Sequence, residues 1–223
     1  MPVPRWTALT TPGWRTVDLQ LAARSLVASL APGRVGPWAV QLRLDDPASV
    51  VTGGWLEAVA PLVAAGADIS LNVGGTRSPS DLVRMVETIA PTGIACLQLP
   101  ERAARPLLWR RALDAADRSD VVLSCSCHSG AGVDAALAAG ADRVFVSPVF
   151  ATPSKPGAAP LGLDAFGAVA RRYPGRVIAL GGIDVDTVAP VFAQGAAGVA
   201  CIRAAWDETA ALLSAACRLA PLP

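Results

Sequence analysis

Short β-branched or apolar runs alternate along the chain with longer Ala/Leu-rich segments, and Gly, Pro or Asp separates each from the next. The short runs predict strands at Trp6–Thr10, Trp38–Leu42, Ile69–Asn72, Ile94–Leu97, Val121–Ser124, Arg143–Val146, Val177–Leu180 and Gly198–Ile202. Between them, helices are predicted near Val17–Leu30, Gly53–Ala65, Ser80–Ile89, Arg102–Ala116, Val133–Ala139, Leu163–Arg172, Asp186–Gln194 and Asp207–Leu219. Strand and helix in strict alternation give a parallel sheet covered by helices, and eight such pairs close it. The fold class is therefore α/β, a single (β/α)8 TIM barrel, with one domain over residues 1–223. Gly66-Ala67-Asp68, Gly140-Ala141-Asp142 and Gly195-Ala196-Ala197 each fall between a helix and a strand, where a glycine supplies the left-handed cap. The competing architecture, an open doubly wound sheet, carries a Gly-rich phosphate turn after its first strand. Here that turn reads Thr10-Thr11-Pro12-Gly13, and the informative glycines come late.

Composition narrows the function classes. Hydrophobic residues make up 52% of the 223 and charged residues 17%, enough for a large shared core and too little net charge for disorder. Formal net charge is +1, with no basic patch interleaved with aromatics, so nucleic acid is not an expected partner. Apolar stretches are interrupted well before the roughly 18 residues that a spanning helix needs, so no membrane partner is expected either. The N-terminal residues carry no secretory pattern, and a cytoplasmic location is the expectation. Four of the five cysteines lie in apolar runs and read as buried thiols, and Cys125-Ser126-Cys127 does not have a zinc-ligand spacing.

In such a barrel the loops after the strand carboxyl ends face the active site, and phosphate commonly binds after the last strands. The run Leu180-Gly181-Gly182-Ile183 ends the seventh strand with two residues whose backbone can approach an anion. After the sixth strand, Ser147-Pro148-Val149-Phe150-Ala151-Thr152-Pro153-Ser154-Lys155-Pro156-Gly157 offers two hydroxyls and a cation, and Lys155 is the only lysine among 19 basic residues. A small anion is expected between Thr152, Ser154 and Lys155 on one side and Gly181 and Gly182 on the other. His128, the only histidine, follows the fifth strand at the barrel mouth, where an imidazole titrating near about 6.5 suits acid–base work. A hydrogen-bonded loop histidine is the alternative. No metal set and no Ser/His/Asp arrangement can be assembled.

Together, Gly140-Ala141-Asp142, the Ser147–Gly157 loop, Leu161-Gly162-Leu163 and Ala179-Leu180-Gly181-Gly182-Ile183 resemble the thiamine phosphate synthase/TenI family. Val40-Gln41-Leu42-Arg43, Asn72 and Ser126-Cys127-His128-Ser129 sit where that family has its strand-end motifs. The resemblance implies one of two activities. A synthase joins a pyrimidine diphosphate to a thiazole phosphate with Mg2+, and it usually has a lysine, an aspartate and an acidic ligand where this chain has Asp45, Val73 and the run Gln98-Leu99-Pro100-Glu101-Arg102. A TenI-like tautomerase aromatises a thiazole phosphate carboxylate by moving a proton, with no cofactor. The second branch is the closer match, with His128 as the implied acid/base and Arg43 holding the carboxylate or lining the pocket. Thr152, Lys155, Gly181 and Gly182 would take the phosphate, and Asn72, Gln98, Ser154, Ile202 and Arg203 complete the substrate-binding set. The implied partner is a small phosphorylated heterocycle; a homodimer is compatible with the fold, and a catalytically silent phosphate-binding barrel is the reading from another class.

Overall fold

The computed structural model describes residues 3–11, 13–30, 37–74, 78–101, 105–207 and 211–212. Eight parallel strands close in sequence order: β1 (Trp6–Leu9), β2 (Trp38–Leu42), β3 (Ala67–Asn72), β4 (Ile94–Leu99), β5 (Val122–Cys127), β6 (Arg143–Val146), β7 (Val177–Leu180) and β8 (Gly198–Cys201). Closure comes from the pairing of Trp6, Thr7 and Ala8 with Val199, Ala200 and Cys201. Each strand is followed by a helix: α1 (Thr16–Ser29), α2 (Trp55–Ala64), α3 (Pro79–Ile89), α4 (Pro106–Ala115), α5 (Gly130–Ala138), α6 (Leu163–Arg172), α7 (Val188–Ala193) and α8 (Arg203–Asp207). Among the described residues, no helix is long and apolar enough to cross a membrane.

Local chemistry sets the element ends. Ser78 caps α3 by accepting from the Asp81 N–H while Asp81 accepts from the Ser78 N–H, a reciprocal box that satisfies two otherwise orphaned donors. Gly66, Gly140 and Gly195 take φ of 88°, 93° and 95° after α2, α5 and α7, as the sequence pattern requires. The predicted helix over Asp207–Leu219 is corrected in part: a short helix begins at Arg203, one turn earlier, while 208–210 and 213–219 lie outside the described residues. Residues 102–104 of the predicted fourth helix lie outside them too, and the described helix starts at Pro106, whose missing N–H costs nothing in a first turn.

The two faces of the strands differ in kind. Outward-facing Leu42, Leu71, Leu97, Val144 and Val177 join Leu19, Leu62 and Phe166 of the helices in one large core. Trp6 and Trp38 stack in it with ring centroids 5.4 Å apart, an arrangement worth about 0.5–1.5 kcal/mol beyond burial. Inside the barrel, Leu9, Phe145, Ile178 and Ala200 form a separate small cluster, with Leu180 and Ile202 against it. The other half of the interior is polar and also buried: Gln41, Ser70, Gln98 and Ser124 come from β2 to β5, and register pairs Gln41 with Ser70 and Gln98 with Ser124. Apart from Thr7 and Arg143, buried polar residues of β1 and β6, the barrel has an apolar side on β6–β1 and a polar side on β2–β5.

Candidate active site

A cavity of about 870 Å³ opens at the carboxyl ends of the strands, and its walls are the loops that follow them. Ten of the eleven residues expected from the sequence line it: Arg43, Asn72, His128, Thr152, Ser154, Lys155, Gly181, Gly182, Ile202 and Arg203. Gln98 does not. It is 2% exposed, donating to Ser126 Oγ at 2.9 Å and accepting from Ser124 Oγ at 2.6 Å, so it lies beneath the floor and holds Ser126 in the cavity wall. A buried amide needs all its partners on hand, and the two strand-5 serines supply them.

His128 is positioned through its backbone and its ring. Its N–H donates to Glu101 Oε1 at 3.1 Å, and Nδ1 lies 2.6 Å from the carbonyl oxygen of Ser147. A carbonyl can only accept, so Nδ1 carries the hydrogen and Nε2 keeps its lone pair when the ring is neutral. Lys155 Nζ stands 3.2 Å from Nε2. The only histidine and the only lysine of the chain are therefore neighbours. Burial lowers the pKa of Lys155 from the ordinary lysine value, the charge of Glu101 opposes that shift, and Arg43 adds to it.

The cradle opposite is made of backbone. Gly181 and Gly182 have φ of 93° and 67°, and a Cβ on Gly181 would stand 2.8 Å from Pro148 Cα. Neither position therefore has room for a side chain. The β6–α6 loop is fastened to this turn by Val149 N–H to Leu180 O and Phe150 N–H to Gly181 O, both at 3.0 Å. Thr187 Oγ1 donates to Gly182 O at 3.0 Å and fixes the turn from the far side. In this arrangement Lys155 reaches the histidine and lines the same cavity as the Gly181-Gly182 turn.

On the strand-2 side, Thr10 Oγ1 accepts the Arg43 N–H at 2.9 Å, and burial lowers the Arg43 pKa. Asn72 Oδ1 accepts from the Gly74 N–H at 3.0 Å. Several lining groups were absent from the predicted set, Gln41, Glu101 and Ser126 among them. Gln41, present there only as part of a strand motif, is 2% exposed, faces the cavity and has no partner for Nε2 among the described residues. Glu101 and Ser126 also line the wall. Alternation along β2 and β5 could have found Gln41 and Ser126, because both share the inward face of residues already placed in the barrel; nothing local marks Glu101.

These loops coincide with the stretch that is similar to known proteins. The family profile described as thiamine monophosphate synthase matches residues 110–205. The thiamine-phosphate synthase of Anaeromyxobacter dehalogenans is 35% identical over 171 residues, covering 76% of this chain and 70% of that protein. The one from Thermosynechococcus vestitus is 35% identical over 108 residues, 48% of this chain, and the chain spans only 28% of that relative's length. A thiamine phosphate pyrophosphorylase from Pyrococcus furiosus has the same fold, with a TM-score of 0.70 at 18% identity over 97% of each chain. Fold, strand-end loops and sequence agree, and the chain belongs to the thiamine phosphate synthase/TenI family.

Proposed function

We propose that this protein binds a thiazole phosphate and aromatises it by proton transfer, as a TenI-like tautomerase. One observation carries the reading: the Nδ1 of His128, a residue that lines the cavity, is held by a carbonyl, which leaves the lone pair of the neutral ring on Nε2, 3.2 Å from Lys155 Nζ. A ring whose phosphate rests on the Gly181-Gly182 turn and the Thr152–Lys155 loop would present its acidic carbon towards Nε2. His128 would accept that proton and return it elsewhere on the ring, with the Lys155 ammonium beside it stabilising negative charge as it develops. Arg43, across the cavity, would hold the substrate carboxylate.

The names of the relatives favour a second reading, a synthase that couples a pyrimidine diphosphate to the same thiazole phosphate. That reaction relies on Mg2+, a hard ion needing several oxygen ligands. The donors here are poor for it: Val73 is apolar and 2% exposed, Asp45 is exposed, and Glu101 is engaged by the His128 N–H. Among the described residues, no group of three His, Cys, Asp or Glu is arranged to hold a metal. What weighs against the ion is that the position where that branch usually has an aspartate is the apolar, buried Val73.

One experiment separates the readings. Purified protein is given the thiazole phosphate carboxylate alone, and in parallel the thiazole phosphate with the pyrimidine diphosphate and Mg2+. Aromatisation that persists in chelator supports the tautomerase. Rapid coupling that chelator abolishes would replace it with the synthase, and tight binding without either product would leave a silent barrel.

A further inference from the structure

We infer that Glu101 is a positioning residue of this site, fastening the strand-5 end that carries His128 and setting a negative charge opposite Lys155. The inference rests on the reading of His128 and Lys155 as the proton-transfer pair. Glu101 stands two residues beyond β4, and its Oε1 accepts the His128 backbone N–H at 3.1 Å, tying two neighbouring strand ends together at the mouth. Its carboxylate lies over Gly132, the third residue of α5, so closely that a Cβ there would overlap Oε1. The first turn of a helix is a favourable place for a negative charge. The Ser129 hydroxyl takes the Gly132 N–H at 3.1 Å, which leaves the carboxylate for His128 and the cavity.

Other charges face the same space. Arg43 follows the end of β2, Asp184 lies in the loop after β7, and Arg203 and Asp207 are the first and last residues of α8. The Asp184 carboxylate accepts from the N–H groups of Asp186 and Thr187, so it stabilises its own turn. The charges that act on the Lys155 ammonium are Glu101, which favours it, and Arg43, which disfavours it, against a background of burial. Without Glu101, Lys155 keeps only the influences that drive its proton off, and the partner of Nε2 becomes neutral at lower pH.

Because Lys155 is the only lysine, protein labelled with [ε-13C]lysine gives a single resonance whose titration can be followed without substrate. Glu101→Gln keeps an acceptor for the His128 N–H and removes the charge, and the Lys155 titration should move to lower pH. Gly132→Ala keeps the charge but displaces the carboxylate, and it should move the titration the same way. Alanine also favours a helix interior over glycine by about 1 kcal/mol, so unfolding is not what this variant reports. In tautomerisation, the alkaline limb of the rate profile should follow the Lys155 titration in both variants, with KM for the thiazole phosphate little changed at neutral pH. An unmoved Lys155 titration in both variants overturns the inference whatever the turnover. A shifted titration with an unmoved rate profile leaves Glu101 in its role and removes Lys155 from the reaction.

Discussion

Replacing His128 by Asn and by Gln separates its two ring nitrogens. The amide nitrogen of Asn falls near the place of Nδ1 and can still donate to Ser147 O, whereas that of Gln falls near Nε2 and loses that anchor. The native contacts are 2.6 Å at Nδ1 and 3.2 Å from Nε2 to Lys155 Nζ, so Asn spares the first, whereas the Gln amide nitrogen spares neither, being a donor where the ring nitrogen accepts. Neither amide is a base. Loss of a general acid–base group costs about 10^2- to 10^4-fold in rate, which at about 1.36 kcal/mol per decade is roughly 2.7–5.4 kcal/mol of barrier. Single-turnover aromatisation of the thiazole phosphate carboxylate should fall by that factor in both variants. Phosphate affinity, measured calorimetrically, should hold in His128→Asn and weaken in His128→Gln, where the ring's anchor beside Lys155 is gone. If His128→Asn turns over as fast as the parent, the imidazole is not the base and the geometric argument fails. If His128→Asn instead loses phosphate binding and turnover equally, the role of the ring is structural.

Two further outcomes test the cradle and the core. Gly181→Ala places a Cβ 2.8 Å from Pro148 Cα at a φ of 93°, so it should cost at least about 1–3 kcal/mol in denaturant unfolding and weaken inorganic phosphate binding; unchanged affinity would move the anion elsewhere. Burial pushes the thiols of Cys125 and Cys127 up to about 12, so alkylation mapped by mass spectrometry should reach them only through unfolding, and labelling independent of denaturant would contradict their place in the wall.

Where the sequence and the structure part company, the barrel interior explains it. The fourth strand is predicted to stop at Leu97 and the fifth at Ser124, yet they run to Leu99 and Cys127. The third begins at Ala67 instead of Ile69. In each case an inward Gln98, Ser126 or Asp68 looks like a strand end to a rule that expects apolar interiors, whereas here those residues are the polar half of the barrel. β6 and β7 fall within their predicted bounds, β6 with the buried Arg143 at its start. The cavity was legible because its residues lie just past recognisable strands, and most of the expected set lines it. Gln98 was misplaced because its position on the strand says which way it points but not that Ser126 stands above it. Glu101 escaped because its partner, the backbone of His128, is distant in sequence and has no side-chain signature.

The division of the interior also bears on regioselectivity. A planar heterocycle lying across this floor has one edge over Leu9, Leu180 and Ile202 and the other over Gln41, Asn72 and Ser126. Turned over, it would set its heteroatoms against hydrocarbon and its carbon edge against Asn72 and Ser126. Each buried polar group left unsatisfied costs about 1–3 kcal/mol, and about 1.4 kcal/mol is a tenfold population ratio. On the proposed tautomerase reading, which ring carbon meets the base would be decided by the strands beneath the substrate, before any loop at the mouth has touched it.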